Sequence, residues 1–164
     1  VHPSFKRHVS LGFNYRLADV CAALALAQFE KLDRFVMWRK RTAAAFEEVV
    51  SGCSWLKPQK ILSGHESSYW AYTLRIDARE SVLPWQDIYD KFVEYGGDGF
   101  YGAWSLTYLE PVFQSGQFGK FEQGICPVAE AIQPRLIQLK TNYGDEKSIE
   151  RQAEALKKTI HYYS

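Results

Sequence analysis

Gly12-Phe13-Asn14-Tyr15-Arg16-Leu17-Ala18-Asp19 runs directly into Val20-Cys21-Ala22-Ala23-Leu24-Ala25-Leu26-Ala27-Gln28-Phe29-Glu30-Lys31-Leu32-Asp33, a polar turn set against an alanine-rich helix. Gly12 and Asn14 suit a turn or the start of a helix, and strong helix formers follow from Leu17 onward. The alanines at 22, 23, 25 and 27 are small enough to let another backbone come close. Leu24, Phe29 and Leu32 place apolar bulk nearly all round the axis, the pattern of a buried helix. Apolar positions continue through Phe35 or Val36, Ala43, Phe46 and Val50, with Arg39 on the same spacing, until Ser51-Gly52 ends the pattern. A helix from Leu17 to Val50 exceeds the ordinary globular length, so a break is expected near Lys31 to Asp33.

Beyond Gly52 the periodicity changes. Lys57 to Glu66, with Pro58, Gly64 and several polar residues, reads as a loop. Tyr69 to Ile76 alternates Trp70, Tyr72, Leu74 and Ile76 against Tyr69, Ala71, Thr73 and Arg75, a strand with one buried face. Pro84 occupies a first-turn position, Trp85, Ile88 and Phe92 make an apolar stripe, and Gly96-Gly97 stops that helix. Phe100 to Trp104 reads as a short strand, and Ser105 to Gly124, with Gly116, Gly119 and Gly124 among aromatics, as a mobile loop. Cys126 to Gln133 is a short helix starting near Pro127, Leu136 to Leu139 a strand, and Asp145 caps a last helix with Ile149, Ala153, Leu156 and Ile160 inward. Helices and strands in alternation predict a small α/β domain.

Composition narrows the function classes. A chain of 164 residues forms one domain of ordinary size and buries roughly 68 to 70% of its unfolded surface. The formal net charge of +1 makes no electrostatic case for nucleic acid or an acidic membrane. The basic run Arg39-Lys40-Arg41 beside Trp38 reads as a solvated helix face. Cys21, Cys53 and Cys126 are odd in number and far apart, which suggests neither a disulfide framework nor a zinc site and fits a reducing cytoplasm. His2, His8, His65 and His161 show no metal-ligand spacing. No serine sits in a nucleophile elbow. No apolar run approaches the length of a bilayer span, and Val1 to Lys6 lacks a signal peptide's hydrophobic region.

The opening stretch, with Cys126-Pro127-Val128-Ala129-Glu130 and the last helix, resembles the DegT/StrS family of pyridoxal-phosphate-dependent nucleotide-sugar aminotransferases. The resemblance implies the small C-terminal domain of a fold-type I transferase: a short sheet packed with helices over residues 51–164, preceded by long interdomain and interface helices over residues 1–50. It also implies a longer enzyme. The family's large domain, with the lysine that carries the cofactor, a carboxylate on the pyridine nitrogen and most of the phosphate cup, precedes the G-F-N-Y-R motif. Lys6 is the only lysine ahead of Gly12, and it reads better as a solvated lysine than as the cofactor's lysine. The expectation is therefore no catalytic residue here and no tight binding of pyridoxal phosphate by this piece alone.

Within that resemblance Asn14 and Arg16 are the cofactor-binding candidates. The family's asparagine reaches across the dimer interface to the cofactor phosphate of the partner subunit, while Asn14 is equally suited to cap the helix. Arg16 has a planar fork that suits phosphate or carboxylate, and a surface salt bridge explains it as well. Many relatives carry histidines in a G-V-H-Y-x-P-x-H type pattern lining the substrate pocket. The corresponding stretch here, Gly97 to Pro111, has none. It offers Tyr101, Trp104 and Tyr108, able to stack on a sugar or a base or to serve as core. Lys140-Thr141-Asn142 reads either as pocket lining or as a strand-end loop.

The implied activity is transfer of an amino group from glutamate to a nucleotide-linked keto sugar, for surface polysaccharide such as lipopolysaccharide or for an antibiotic. The implied assembly is a cytoplasmic homodimer or higher oligomer. A sugar 3-dehydratase of the same superfamily and a noncatalytic interaction module are the alternatives, the first decided by a lysine or histidine upstream.

Overall fold

The computed structural model describes residues 12–13, 17–81, 83–102 and 105–164. The long helical stretch is broken as its length demands: α1 spans Asp19–Phe29 and α2 spans Leu32–Val50, with the break at Glu30 and Lys31. Strand β1 (Leu56–Pro58) and strand β2 (Ala71–Ile76) follow, then α3 (Trp85–Glu94), β3 (Tyr101–Gly102), α4 (Pro111–Gln114), α5 (Pro127–Ile132), β4 (Leu136–Lys140) and α6 (Glu146–Tyr162). The four strands form one antiparallel sheet in the order β1-β2-β4-β3.

β1 falls where the sequence suggests a loop. Pro58 does not prevent it, because β1 lies at the sheet edge and needs donors on one side only. Leu56 pairs with Ile76 and Pro58 with Leu74. Along β2 the alternation holds over Tyr72, Leu74 and Ile76, which are buried, while Ala71, Thr73 and Arg75 are half-buried. On β4, Ile137 and Leu139 take the same buried parity.

One face of the sheet carries the core. Phe46 and Val50 of α2, Trp85, Ile88 and Phe92 of α3, and Ala155 and Leu156 of α6 cover Leu56, Tyr72, Leu74, Ile76, Ile137 and Leu139. The buried side of α6 consists of Ile149, Gln152, Ala155, Leu156 and Thr159; Ala153 and Ile160, expected inward, are half-buried. Asp145 caps α6 as its residue type predicts, accepting from Ser148 N–H at 2.8 Å and from the Ser148 hydroxyl at 2.7 Å.

α3 ends in a Schellman motif: Gly97 N–H reaches the Phe92 carbonyl at 2.9 Å and Gly96 N–H the Val93 carbonyl at 3.0 Å, with Gly96 at φ +88°. Pro84 stands one residue ahead of the helix, as its N-cap. α1 has no buried residue. Its apolar circumference is open to solvent within this chain, with Leu24 62% and Phe29 69% exposed.

Candidate functional site

The sheet face opposite the core is lined by half-buried side chains: Ala71, Thr73 and Arg75 of β2, Leu136, Gln138 and Lys140 of β4, and Tyr101 of β3. At its upper end the chain turns at Tyr69, a non-glycine residue in the left-handed region at φ +48°. Such a conformation costs of order 1 to 3 kcal/mol and persists where its surroundings over-determine it. Those surroundings are visible. The Tyr69 N–H donates to Ser67 Oγ at 3.1 Å, and the Tyr69 carbonyl accepts from the Thr141 hydroxyl at 2.5 Å and from Arg39 Nη1 at 3.4 Å.

The turn reverses the parity of the chain. Regular alternation would put Trp70 on the core face with Tyr72, as the sequence suggests. Instead Tyr69 packs against the core, and Trp70 emerges on the opposite face, 70% exposed. Its ring lies parallel to that of Tyr101, with centroids 6.5 Å apart and planes 10° apart.

Arg39 holds this corner from α2. Its Nη1 donates to the Trp70 carbonyl at 2.8 Å and to Thr141 Oγ1 at 3.0 Å. The solvated basic run expected at Arg39-Lys40-Arg41 therefore divides: Arg39 turns inward, Lys40 pairs with Glu66 at 2.8 Å, and Arg41 lies over the Trp38 ring at 5.1 Å. No local signal sets Arg39 apart, because Lys40 and Arg41 beside it are exposed cations.

Around this corner lies a cavity of about 880 Å³, between Leu32, Phe35, Trp38 and Arg39 of α2, Trp70, and the Asn142–Gly144 turn after β4. A second space of about 350 Å³ adjoins it through Arg39, Trp70 and Asn142 and adds Tyr101 and Lys140. Arg34 and Lys140 face these spaces without an ion-pair partner among the described residues. Tyr143 at the rim has its phenol held protonated, first by burial and then by the carboxylate of Asp98. The reading of Lys140 and Asn142 as pocket lining thus has a cavity to go with it.

Tyr101 lies in the cleft, whereas Tyr108 does not line either space. The Tyr108 hydroxyl donates to Glu130 Oε1. The same oxygen accepts from Gly124 N–H at 2.7 Å and from Cys126 N–H at 3.3 Å. Gln114 Nε2 adds bonds to the Tyr108 and Phe121 carbonyls at 2.7 and 2.9 Å. Tyr108 is thereby tied to the loop ahead of α5. Trp104, Asn14, Arg16 and Lys6 lie outside the described residues.

Pyridoxal phosphate requires phosphate donors and a charged partner for its pyridine nitrogen. The cleft supplies cations and the Asn142 amide, but no Asp or Glu lines it. Among the described residues it does not fit the cofactor, and it does fit the anionic part of another ligand. No group of three or more His, Cys, Asp or Glu among the described residues could hold a metal ion. No described helix is long and apolar enough to cross a membrane.

The GDP-perosamine synthase of Caulobacter vibrioides is 35% identical over 68 residues, covering 40% of this chain and 18% of that protein. The UDP-N-acetyl-3-dehydro-alpha-D-glucosamine 3-aminotransferase of Acidithiobacillus ferrooxidans is 26% identical over 156 residues, 94% of this chain and 39% of that one. The chain spans well under half the length of either relative. The X-ray structure of the aminotransferase from Psychrobacter cryohalolentis superposes over 99% of this chain and 44% of its own, with a TM-score of 0.77 at 15% identity, a likeness of fold. The model of the DegT/DnrJ/EryC1/StrS aminotransferase family matches residues 2–154. The chain belongs to the DegT/DnrJ/EryC1/StrS aminotransferase family.

Proposed function

We propose that this chain forms the small-domain part of a pyridoxal-phosphate-dependent aminotransferase that acts on a nucleotide-linked keto sugar, with residues 51–164 as the small domain and residues 1–50 as interdomain and interface helices. The observation that carries the reading is the cleft. Arg34 and Trp70 line a cavity of about 880 Å³, a volume that suits a small-molecule ligand, and Lys140 and Tyr101, whose ring is parallel to that of Trp70, line the adjoining space of about 350 Å³; neither cation has a carboxylate partner among the described residues. A diphosphate bearing a flat base matches both features: the cations offset its charge, and the exposed indole offers a stacking surface.

The cofactor supplies the amino-group chemistry when bound, and this chain's own residues hold the nucleotide end of the substrate. Asn14 and Arg16 contribute donors to the cofactor phosphate, Asn14 toward the partner subunit, while Tyr101 and Trp104 belong to the substrate side and Tyr108, outside the cleft, supports the loop ahead of α5. The amino group comes from glutamate and the product enters surface polysaccharide such as lipopolysaccharide. The enzyme works in the cytoplasm as a homodimer or higher oligomer. The amination reading is preferred to the dehydratase one because both curated relatives above bear names of amino-sugar synthesis.

The test uses the enzyme that contains this chain, supplied with pyridoxal phosphate, glutamate and nucleotide-linked keto sugars. Formation of 2-oxoglutarate that depends on the sugar is the expected result. Trp70→Ala should raise KM for the sugar about tenfold, since losing one stacked base costs about 1 to 3 kcal/mol and ~1.4 kcal/mol is a factor of ten. KM for glutamate should stay unchanged. Equal effects on both substrates, or none, would remove the nucleotide role of the cleft.

A further inference from the structure

Tyr69 is the non-glycine residue with positive φ among the described residues, and it stands directly before the exposed tryptophan of the cleft. Local strain of this kind survives only where neighbouring groups hold it, and here the holding groups can be named. One nitrogen of Arg39 reaches the carbonyls of Tyr69 and Trp70 and the hydroxyl of Thr141. Thr141 is fully buried, and its hydroxyl accepts from Arg39 while donating to the Tyr69 carbonyl. The two residues come from α2 and from the end of β4, so the turn is clamped from both sides.

We propose that Arg39 is a positioning residue for the cleft, acting with Thr141 to hold the Tyr69 and Trp70 carbonyls, the peptide groups on either side of Trp70, and so to set the Trp70 ring against Tyr101. The parity of the chain is the reason. Tyr69 packs on the core and sits 6.2 Å, ring to ring, from Tyr72, although the two are three residues apart and a regular strand would put them on opposite faces. The peptide groups on either side of Trp70 fix its φ and ψ and hence the direction of its side chain; with the Tyr69 and Trp70 carbonyls released, regular alternation would carry Trp70 toward the core face, away from Tyr101. A mere strut between α2 and the sheet would affect stability without affecting where the indole points.

The inference rests on the reading of this cleft as a ligand site, so the test has two arms. In the first, which needs no ligand, the Trp70 indole N–H resonance is identified by its loss in Trp70→Phe. Replacing Tyr101 by Leu should shift it, because a parallel ring nearby is removed. In Arg39→Ala and in Thr141→Val that Tyr101-dependent shift should largely vanish, while Arg39→Lys, which keeps a donor at this place, should restore part of it. Thr141→Val keeps the branched shape and removes only the hydroxyl, so it carries the test if Arg39→Ala fails to fold, as judged by amide resonances of α6. Persistence of the full shift in folded Arg39→Ala and Thr141→Val overturns the inference.

In the second arm uridine diphosphate is titrated onto the enzyme containing this chain. Thr141→Val, which removes no charge, should weaken binding about tenfold. Unchanged affinity in a variant that has lost the shift overturns the link from positioning to binding. Failure of the parent enzyme to bind uridine and guanosine diphosphates overturns the ligand reading alone, since the first arm decides the positioning without it.

Discussion

Glu130 accepts from Tyr108, Gly124 and Cys126 through one carboxylate oxygen, and the cluster has a pH signature of definite sign. Burial, followed by the hydrogen bond to Glu130, pushes the Tyr108 phenol up from 10.0 to about 12. A group whose folded pKa is raised contributes stability that is full below the unfolded pKa and lost as pH climbs through the folded one. The bonds from Tyr108, then Gly124, lower the Glu130 carboxyl below its ordinary value of 4.5. Its contribution is present above that value and lost as pH falls through the lowered one. Tyr108→Phe should therefore flatten the loss of stability between about pH 10 and 12, and should also soften the acid limb, because the largest cause of the Glu130 shift is gone. Thermal melts across pH read both limbs, and an unchanged alkaline limb would show that the phenol does not ionise in the way described.

At the scale of elements, the turn that ends α3 closes onto the helix's own Phe92 with little room to spare. A Cβ added at Gly97 would meet the Phe92 ring at 2.4 to 2.6 Å. Phe92 is fully buried and cannot move aside cheaply. Gly97→Ala should destabilise the domain by about 1 to 3 kcal/mol, the usual cost of overpacking a filled core, read as a lower urea midpoint at unchanged slope. Gly52→Ala is the control, since nothing lies within 4 Å of its added Cβ. Equal effects at the two glycines would place the cost in the backbone and not in the clash.

For the whole molecule, the notable imbalance is α1. Val20, Leu24, Leu26 and Phe29 are exposed, and Leu17 and Phe13 continue the apolar surface toward the N-terminal end. Contiguous exposed apolar surface of this kind marks a face that is covered in an assembly. The chain as it stands should self-associate, giving a dimer or larger species by light scattering during size exclusion. Leu24→Glu with Phe29→Glu should shift it toward the monomer without lowering the melting temperature of the rest, because no residue of α1 is buried in the domain. A monomeric parent at high concentration would contradict the assembly.

Sequence alone determined the elements whose signals are local. The break in the long helix followed from its length, the cap at Asp145 from a side chain that reaches its own helix start, the stop at Gly96-Gly97 from a backbone that glycine adopts freely, and the β2 alternation from the period of the strand. What tertiary structure decided depends on groups far apart in the chain. β1 becomes a strand because β2 offers it a partner edge, which no residue within Leu56–Pro58 announces. Arg39 leaves a basic surface run because oxygens about 30 and 102 positions away converge on its guanidinium. Trp70 changes face because those same bonds hold the carbonyls on both sides of it, beside a Tyr69 in a conformation that a tyrosine does not choose by itself. The cleft depends on this long-range clamp, and its polar partners carry no periodic signature that a reading along the chain could detect.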